Sequence, residues 1–125
     1  MKTKNLRPRL LSAALLTAAL LANSALASNV IKQDTATMQP NLTDWSAVPG
    51  AGDVGEFDAT IGSVNAGNLT LGANLSIGAL QFDGTLNGPV TIGADGNKLT
   101  LNNAGNDLDA SLANQNITIN CAIGL

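Results

Sequence analysis

Leu69-Thr70-Leu71-Gly72, Leu75-Ser76-Ile77-Gly78, Val90-Thr91-Ile92-Gly93, Leu99-Thr100-Leu101-Asn102 and Ile117-Thr118-Ile119-Asn120 are five versions of one phrase. Each runs apolar, hydroxyl, apolar, then Gly or Asn. Side chains alternate along a strand, so the outer residues of each triplet share one face and the hydroxyl takes the other. Gly and Asn tolerate positive φ and suit the corner that follows. Many three-residue strands, each ending in a corner, point to the coils of a β-solenoid. Successive triplets are then expected to pile vertically, with their aliphatic members in a shared dry interior.

Working outward, strands are expected at Ala59–Ile61, Leu69–Leu71, Leu75–Ile77, Leu80–Phe82, Val90–Ile92, Leu99–Leu101, Leu108–Leu112 and Ile117–Ile119. Asp83-Gly84, Asn87-Gly88 and Asp95-Gly96 between them carry tight-turn chemistry. A two-residue turn also permits an antiparallel meander closing into a sandwich. Three features favour the solenoid. The strands are shorter than the usual five or six residues. The same residue type recurs at the same slot. Asn is frequent at corners (Asn65, Asn68, Asn74, Asn87, Asn97, Asn102, Asn103, Asn106), where stacked amides can form hydrogen-bonded ladders. No later stretch has a sustained helical period; Asp107 to Gln115 is the one weak candidate and is discounted.

The N-terminus has the build of a secretory signal. Lys2, Lys4, Arg7 and Arg9 precede an apolar run from Leu10 to Ala22, and Ser24-Ala25-Leu26-Ala27 ends in the small-x-small pattern of a cleavage site. Residues 1–27 are therefore expected to form a signal helix cleaved after Ala27. The apolar run is short of the roughly 20 residues that span a bilayer, which speaks against an uncleaved anchor. Cleavage leaves Lys32 and Lys98 against nine acidic residues, a net charge of −7. Such a balance disfavours nucleic acid and anionic lipid as partners. Membrane contact is expected only during export, with the product secreted or at the cell surface.

Residues 28–43 are polar, contain Pro40 and read as a flexible leader. Residues 44–58 read as an N-terminal cap over the solenoid end. In it Trp45 and Val48 need burial and Phe57 is the natural partner of Trp45. Residues 59–125 are the coils. Trp45, Phe57 and Phe82 are the aromatic residues available for a core.

The stretch Asp44-Trp45-Ser46, Val48-Pro49-Gly50, Gly52-Asp53 and Phe57, followed by the Leu-Thr-Leu and Leu-Gln-Phe phrases, resembles the N-terminal part of bacterial autotransporter-associated β-strand repeat proteins. Gln115 to Asn120 is similar to a further coil of the same array. The resemblance implies a right-handed parallel β-helix passenger, exported and displayed at the surface of a Gram-negative-type cell. It carries no catalytic residues. Downstream repeats or a barrel are expected in a longer form.

The chain contains no His and no Tyr, which removes Ser/His/Asp and Cys/His catalysis and His-ligated metals. Gly50-Ala51-Gly52 lacks the Lys-Ser/Thr of a phosphate loop and reads as a turn. Asp53, Glu56 and Asp58 form the one acidic cluster that an oxygen-ligating Ca²⁺ would favour. A solvated loop is the plainer reading. Asp95-Gly96-Asn97 and Asn106-Asp107-Leu108-Asp109 read as loop acids, and nothing selects a glycosidase pair among them. Thr70, Ser76, Thr91, Thr100 and Thr118 are expected to stack on one outer face, a flat surface for polysaccharide or simply solvent-facing strand residues. The lone Cys121 occupies an apolar position and reads as buried.

No catalytic, cofactor-binding or metal residue is therefore assigned, and no cofactor is expected. The expected function is a non-catalytic exported β-helical scaffold segment for surface display or adhesion. A surface polysaccharide or another cell-surface protein is its expected partner. The alternatives are a remnant of a polysaccharide-acting lyase or hydrolase and a small carbohydrate-binding module.

Overall fold

The computed structural model describes residues 26–103 and 107–125. The expected signal helix and the expected corner residues Gly105 and Asn106 lie outside the described residues. Leu26 and Ala27, on the near side of the expected cleavage point, are exposed and without regular structure.

The described chain is an all-β solenoid of about 4 turns. Its nine strands are β1 Asn29–Ile31, β2 Val54–Phe57, β3 Leu75–Ile77, β4 Ala79–Phe82, β5 Val90–Ile92, β6 Lys98–Leu101, β7 Leu108–Asp109, β8 Ile117–Ile119 and β9 Ala122–Gly124. They form three sheets, ordered β1-β2-β4-β7, β3-β6-β9 and β5-β8, and every strand pair is parallel. Register partners lie 24 to 28 residues apart, as in Val54↔Ala79, Leu75↔Leu99 and Val90↔Ile117. One coil is therefore about 25 residues, carrying one strand on each of three sides. Parallel neighbours need such a long crossover, whereas a hairpin needs two residues.

This period corrects the vertical piling of successive triplets. Leu75–Ile77 and Ala79–Phe82 follow each other directly, yet they belong to different sheets. They are two sides of one coil, and the triplet stacked on Leu75–Ile77 is Leu99–Leu101. Leu69 and Thr70 form isolated parallel bridges, to Ile92 and Thr37, instead of a strand. Ala59–Ile61 is a turn leading into the one-turn helix α1, Ser63–Ala66. The expected Leu108–Leu112 strand stops at Asp109 because Asp109 accepts the Ser111 amide at 2.9 Å and closes a local turn.

Ser28 to Thr43 is not a loose leader. It supplies β1, whose register with β2 is Val30↔Gly55, and the fully buried Val30, Lys32 and Met38. The coils accordingly begin before residue 59, and the segment expected as a cap contributes β2 to the middle of a sheet.

The interior follows from the alternation. Leu75, Ile77, Leu80, Phe82, Val90, Ile92, Leu99 and Leu101 point inward and are at most 3 % exposed. In-register stacking turns them into columns, such as Leu75–Leu99 and Phe57–Phe82. The two phenyl rings stack at 4.9 Å and Trp45 meets Phe57 edge-on at 6.0 Å. Gly55 is required beneath this cluster. A Cβ there would sit 2.9 Å from Trp45 Cη2 and 3.0 Å from both Ile77 and Leu80. Among the described residues positive φ occurs at two corners, Gly72 and Gly96, and at no non-glycine residue. The described corner Asn residues are therefore not there for left-handed backbone.

Candidate functional site

The corner Asn residues act through their amides, and mostly across coils. Asn87 Nδ2 donates to Ala59 O at 2.8 Å and Ile61 O at 3.3 Å; one coil on, Asn114 Nδ2 donates to Leu86 O at 3.3 Å. Asn102 Nδ2 donates to Ser76 Oγ at 2.8 Å and to Ile77 O at 3.1 Å. Asn74 Oδ1 accepts the Lys98 amide at 2.8 Å. The described corners do not show the expected amide-to-amide ladder. Asn ties one coil to the backbone or hydroxyl of the next, where amide-to-amide stacking was expected. Buried or half-buried corner carbonyls are satisfied this way.

The acids divide in the same manner. Asp95 Oδ2 accepts the Gly72 amide one coil away at 2.6 Å, and Asp34 Oδ1 accepts the Gly62 amide at 2.9 Å and Asn65 Nδ2 at 2.8 Å. These bonds hold the Asp95 and Asp34 carboxyls below the ordinary carboxylate range, through Gly72 N–H first in one case and Asn65 in the other. Asp53, Glu56 and Asp58 do not converge. Asp53 takes the Gly50 amide at 2.7 Å and the Ser28 hydroxyl at 2.8 Å, Glu56 takes Asn29 Nδ2 at 2.9 Å, and Asp58 takes the Thr60 amide at 2.7 Å. Among the described residues no group of three or more His, Cys, Asp or Glu side chains is placed to hold a metal ion.

The hydroxyl row is split between two faces. Ser76 pairs with Thr100 and then Gly124 on the β3-β6-β9 sheet, whereas Thr91 pairs with Thr118 on β5-β8. Thr70 pairs with Thr37, but Leu69 pairs with Ile92, so Thr70 is out of step with Thr91. A single flat Thr surface is not formed. Cys121 is buried at 7 % exposure, and burial pushes its thiol pKa up. A thiol so placed behaves as a small apolar residue.

The polar cluster that sequence reading missed lies in the first coil. Lys32 is fully buried over the Trp45 ring, its Nζ 5.9 Å from the ring centroid. Nζ donates to Gln33 O at 2.8 Å, Thr35 O at 3.0 Å and Thr35 Oγ1 at 2.8 Å. Thr35 Oγ1 also lies 2.6 Å from Asp44 Oδ1, which links the two buried charges through one hydroxyl. Asp44 Oδ2 accepts Thr37 Oγ1 at 2.9 Å and the Gln39 amide at 2.9 Å. Burial lowers the Lys32 pKa from 10.5 to about 8, opposed by the attraction of Asp44 and Asp34. The signal in the sequence was thin, a lone Lys between Ile31 and Gln33 in an otherwise polar run.

This cluster closes an edge. Gln33 N donates to Asp44 O and Ser46 N to Ile31 O, both at 2.9 Å, and Ser46 Oγ accepts the Ile31 amide at 2.8 Å. Lys32 and Trp45 form an antiparallel bridge. The outer side of β1 is thus covered by a return of its own chain. Trp45 is fully buried against Phe57, the partner expected for it, whereas Val48, expected to be buried, is 55 % exposed.

Comparison with models of protein families, with curated proteins and with solved structures yields no match.

Proposed function

We propose that this chain is a non-catalytic, exported scaffold segment whose coils build a surface-displayed or adhesive β-solenoid. The observation that carries the reading is the commitment of corner polar groups to neighbouring coils. Asn87, Asn102, Asn114, Asp34 and Asp95 are all engaged in holding one coil on the next. Such a stack is built for extension. The basic, apolar and small-x-small series ahead of Ser28 supports export. The resemblance to autotransporter-associated repeats and a right-handed winding belong to the same proposal. Parallel crossovers are right-handed in about 98 % of sheets, which supports the latter.

The test is expression of the whole 125-residue chain in a Gram-negative-type cell, followed by fractionation and mass spectrometry of its N-terminus. The reading expects a product beginning at Ser28 outside the inner membrane, and an unprocessed form for Ala27→Lys. A full-length product retained in the cytoplasm would contradict it.

A further inference from the structure

The residue that follows the expected cleavage point sits at a corner built around it. Ser28 N donates to Asp53 Oδ1 at 3.2 Å, and Ser28 Oγ donates to the same oxygen at 2.8 Å. Ser28 O accepts the Val54 amide at 2.9 Å, and the register of β1 with β2 starts one residue later at Asn29↔Val54. Leu26 and Ala27, just before it, are exposed and without regular structure. The Ala27–Ser28 bond therefore marks the border between irregular chain and the first coil.

Asp53 is a node between coils. Its Oδ2 accepts the Gly50 amide at 2.7 Å. Its own carbonyl accepts the Gly78 amide at 2.8 Å and the Ala79 amide at 3.2 Å, both in the next coil. Hydrogen bonds from Gly50 first, and then from Ser28, hold its carboxyl below the ordinary range, so it is anionic at neutral pH. Glu56, the next acid along β2, is engaged by Asn29 Nδ2 at 2.9 Å. Asp53 Oδ1 meets the amide and the hydroxyl of Ser28, two neutral donors.

We infer that Asp53 is the receptor for the α-ammonium group that cleavage creates at Ser28, so that maturation ties the first coil to the second; this rests on the export reading above. Hydrolysis breaks the Ala27–Ser28 peptide bond. Water supplies the hydroxyl that makes Ala27 a carboxylate, and its protons leave Ser28 N as an ammonium at neutral pH. That nitrogen already lies 3.2 Å from Asp53 Oδ1, so an amide hydrogen bond becomes a charge-assisted one without β1 having to move. The Ser28 hydroxyl holds the carboxylate in place for it. Ser28 is exposed and Asp53 partly so, which keeps the pair modest and sensitive to salt. The processed chain carries a tie at its first coil that the precursor lacks.

The product isolated in the export test supplies the protein. Its N-terminal amine is titrated through the rate of acetylation by acetic anhydride, read by mass spectrometry on the peptide that starts at Ser28. An unpaired α-amine titrates at about 7.7–8.0. The expected midpoint in the folded chain is about 8.5, returning to about 7.8 in Asp53→Asn and in about 1 M NaCl. Circular dichroism confirms that the variant is folded. If Asp53→Asn does not fold, the salt series and the same titration of the urea-unfolded product decide the matter. An ordinary midpoint in the folded chain, or a raised one that neither Asp53→Asn nor salt lowers, would overturn the assignment. A full-length product overturns it together with the export reading, whereas a product that begins at Ser28 with an ordinary amine overturns this assignment alone.

Discussion

The first and last described coils of this solenoid are edged in opposite ways. At the near end a Trp, a Lys and an Asp are all buried, and the chain doubles back to cover the side of β1. At the far end, aliphatic residues of the same kind remain 43 % to 89 % exposed, and three strands are left with an open side. A parallel solenoid has no intrinsic stop. Its edges must be covered by something outside the repeat. The near end shows what that takes here: an irregular loop with its own hydrogen-bond network and an aromatic plug.

The sharpest way to break the contrast is to place the same charge in both settings. Ile92→Asp puts a carboxylate in a fully buried column without a partner and should abolish the folded state by circular dichroism. Ile123→Asp, at a position already 43 % exposed, should cost about 1 kcal/mol or less in a urea titration. Removing the plug comes next. Trp45→Ala should cost about 3–5 kcal/mol, the range for large buried aromatics. Asp44→Ala strands Lys32 and leaves Thr37 Oγ1 and the Gln39 amide without their acceptor, for about 3 kcal/mol.

The pH response of the near end is a finer probe. The folded Lys32 pKa lies near 8, below its ordinary 10.5. Between those values the unfolded chain binds more protons than the folded one, so stability rises with pH. The gain should be at most about 3 kcal/mol, and below pH 8 it is wholly missing. Lys32→Met should flatten the curve in this window. On the acid side the sign reverses: Asp53 and Asp95 are depressed by hydrogen bonds, so their contribution is present above the ordinary pKa of 3.8 and fades as pH falls through their lowered values. The smallest effect is expected on the outer surface, where Thr91→Val should change stability by less than about 0.5 kcal/mol.

How much was legible in the sequence follows the same division. β3, β5 and β8 coincide with triplets read from the alternation, because their inward pairs are both aliphatic and their corners follow at once. β1, β2 and β9 were missed. β2 carries Gly55 at an inward slot, where residue preference argues against a strand and Trp45 demands one without a side chain. β1 sits among polar residues that fold only because Asp44 and Ser46 return to meet it. The coil period was hidden because sequence-adjacent triplets are sides of one coil. Their true neighbours, about 25 residues away, share little beyond the apolar–hydroxyl–apolar pattern. The Lys32–Asp44 network depends on a return contact of this kind and left almost no local trace.

The central claim is that strands pair in parallel one coil apart. Nuclear Overhauser contacts between backbone protons test it most directly. The account predicts contacts linking Leu75–Ile77 to Leu99–Leu101, and Leu99–Thr100 onward to Ile123–Gly124, each 24 residues away. Antiparallel contacts between Leu75–Ile77 and the adjoining Ala79–Phe82 would contradict it.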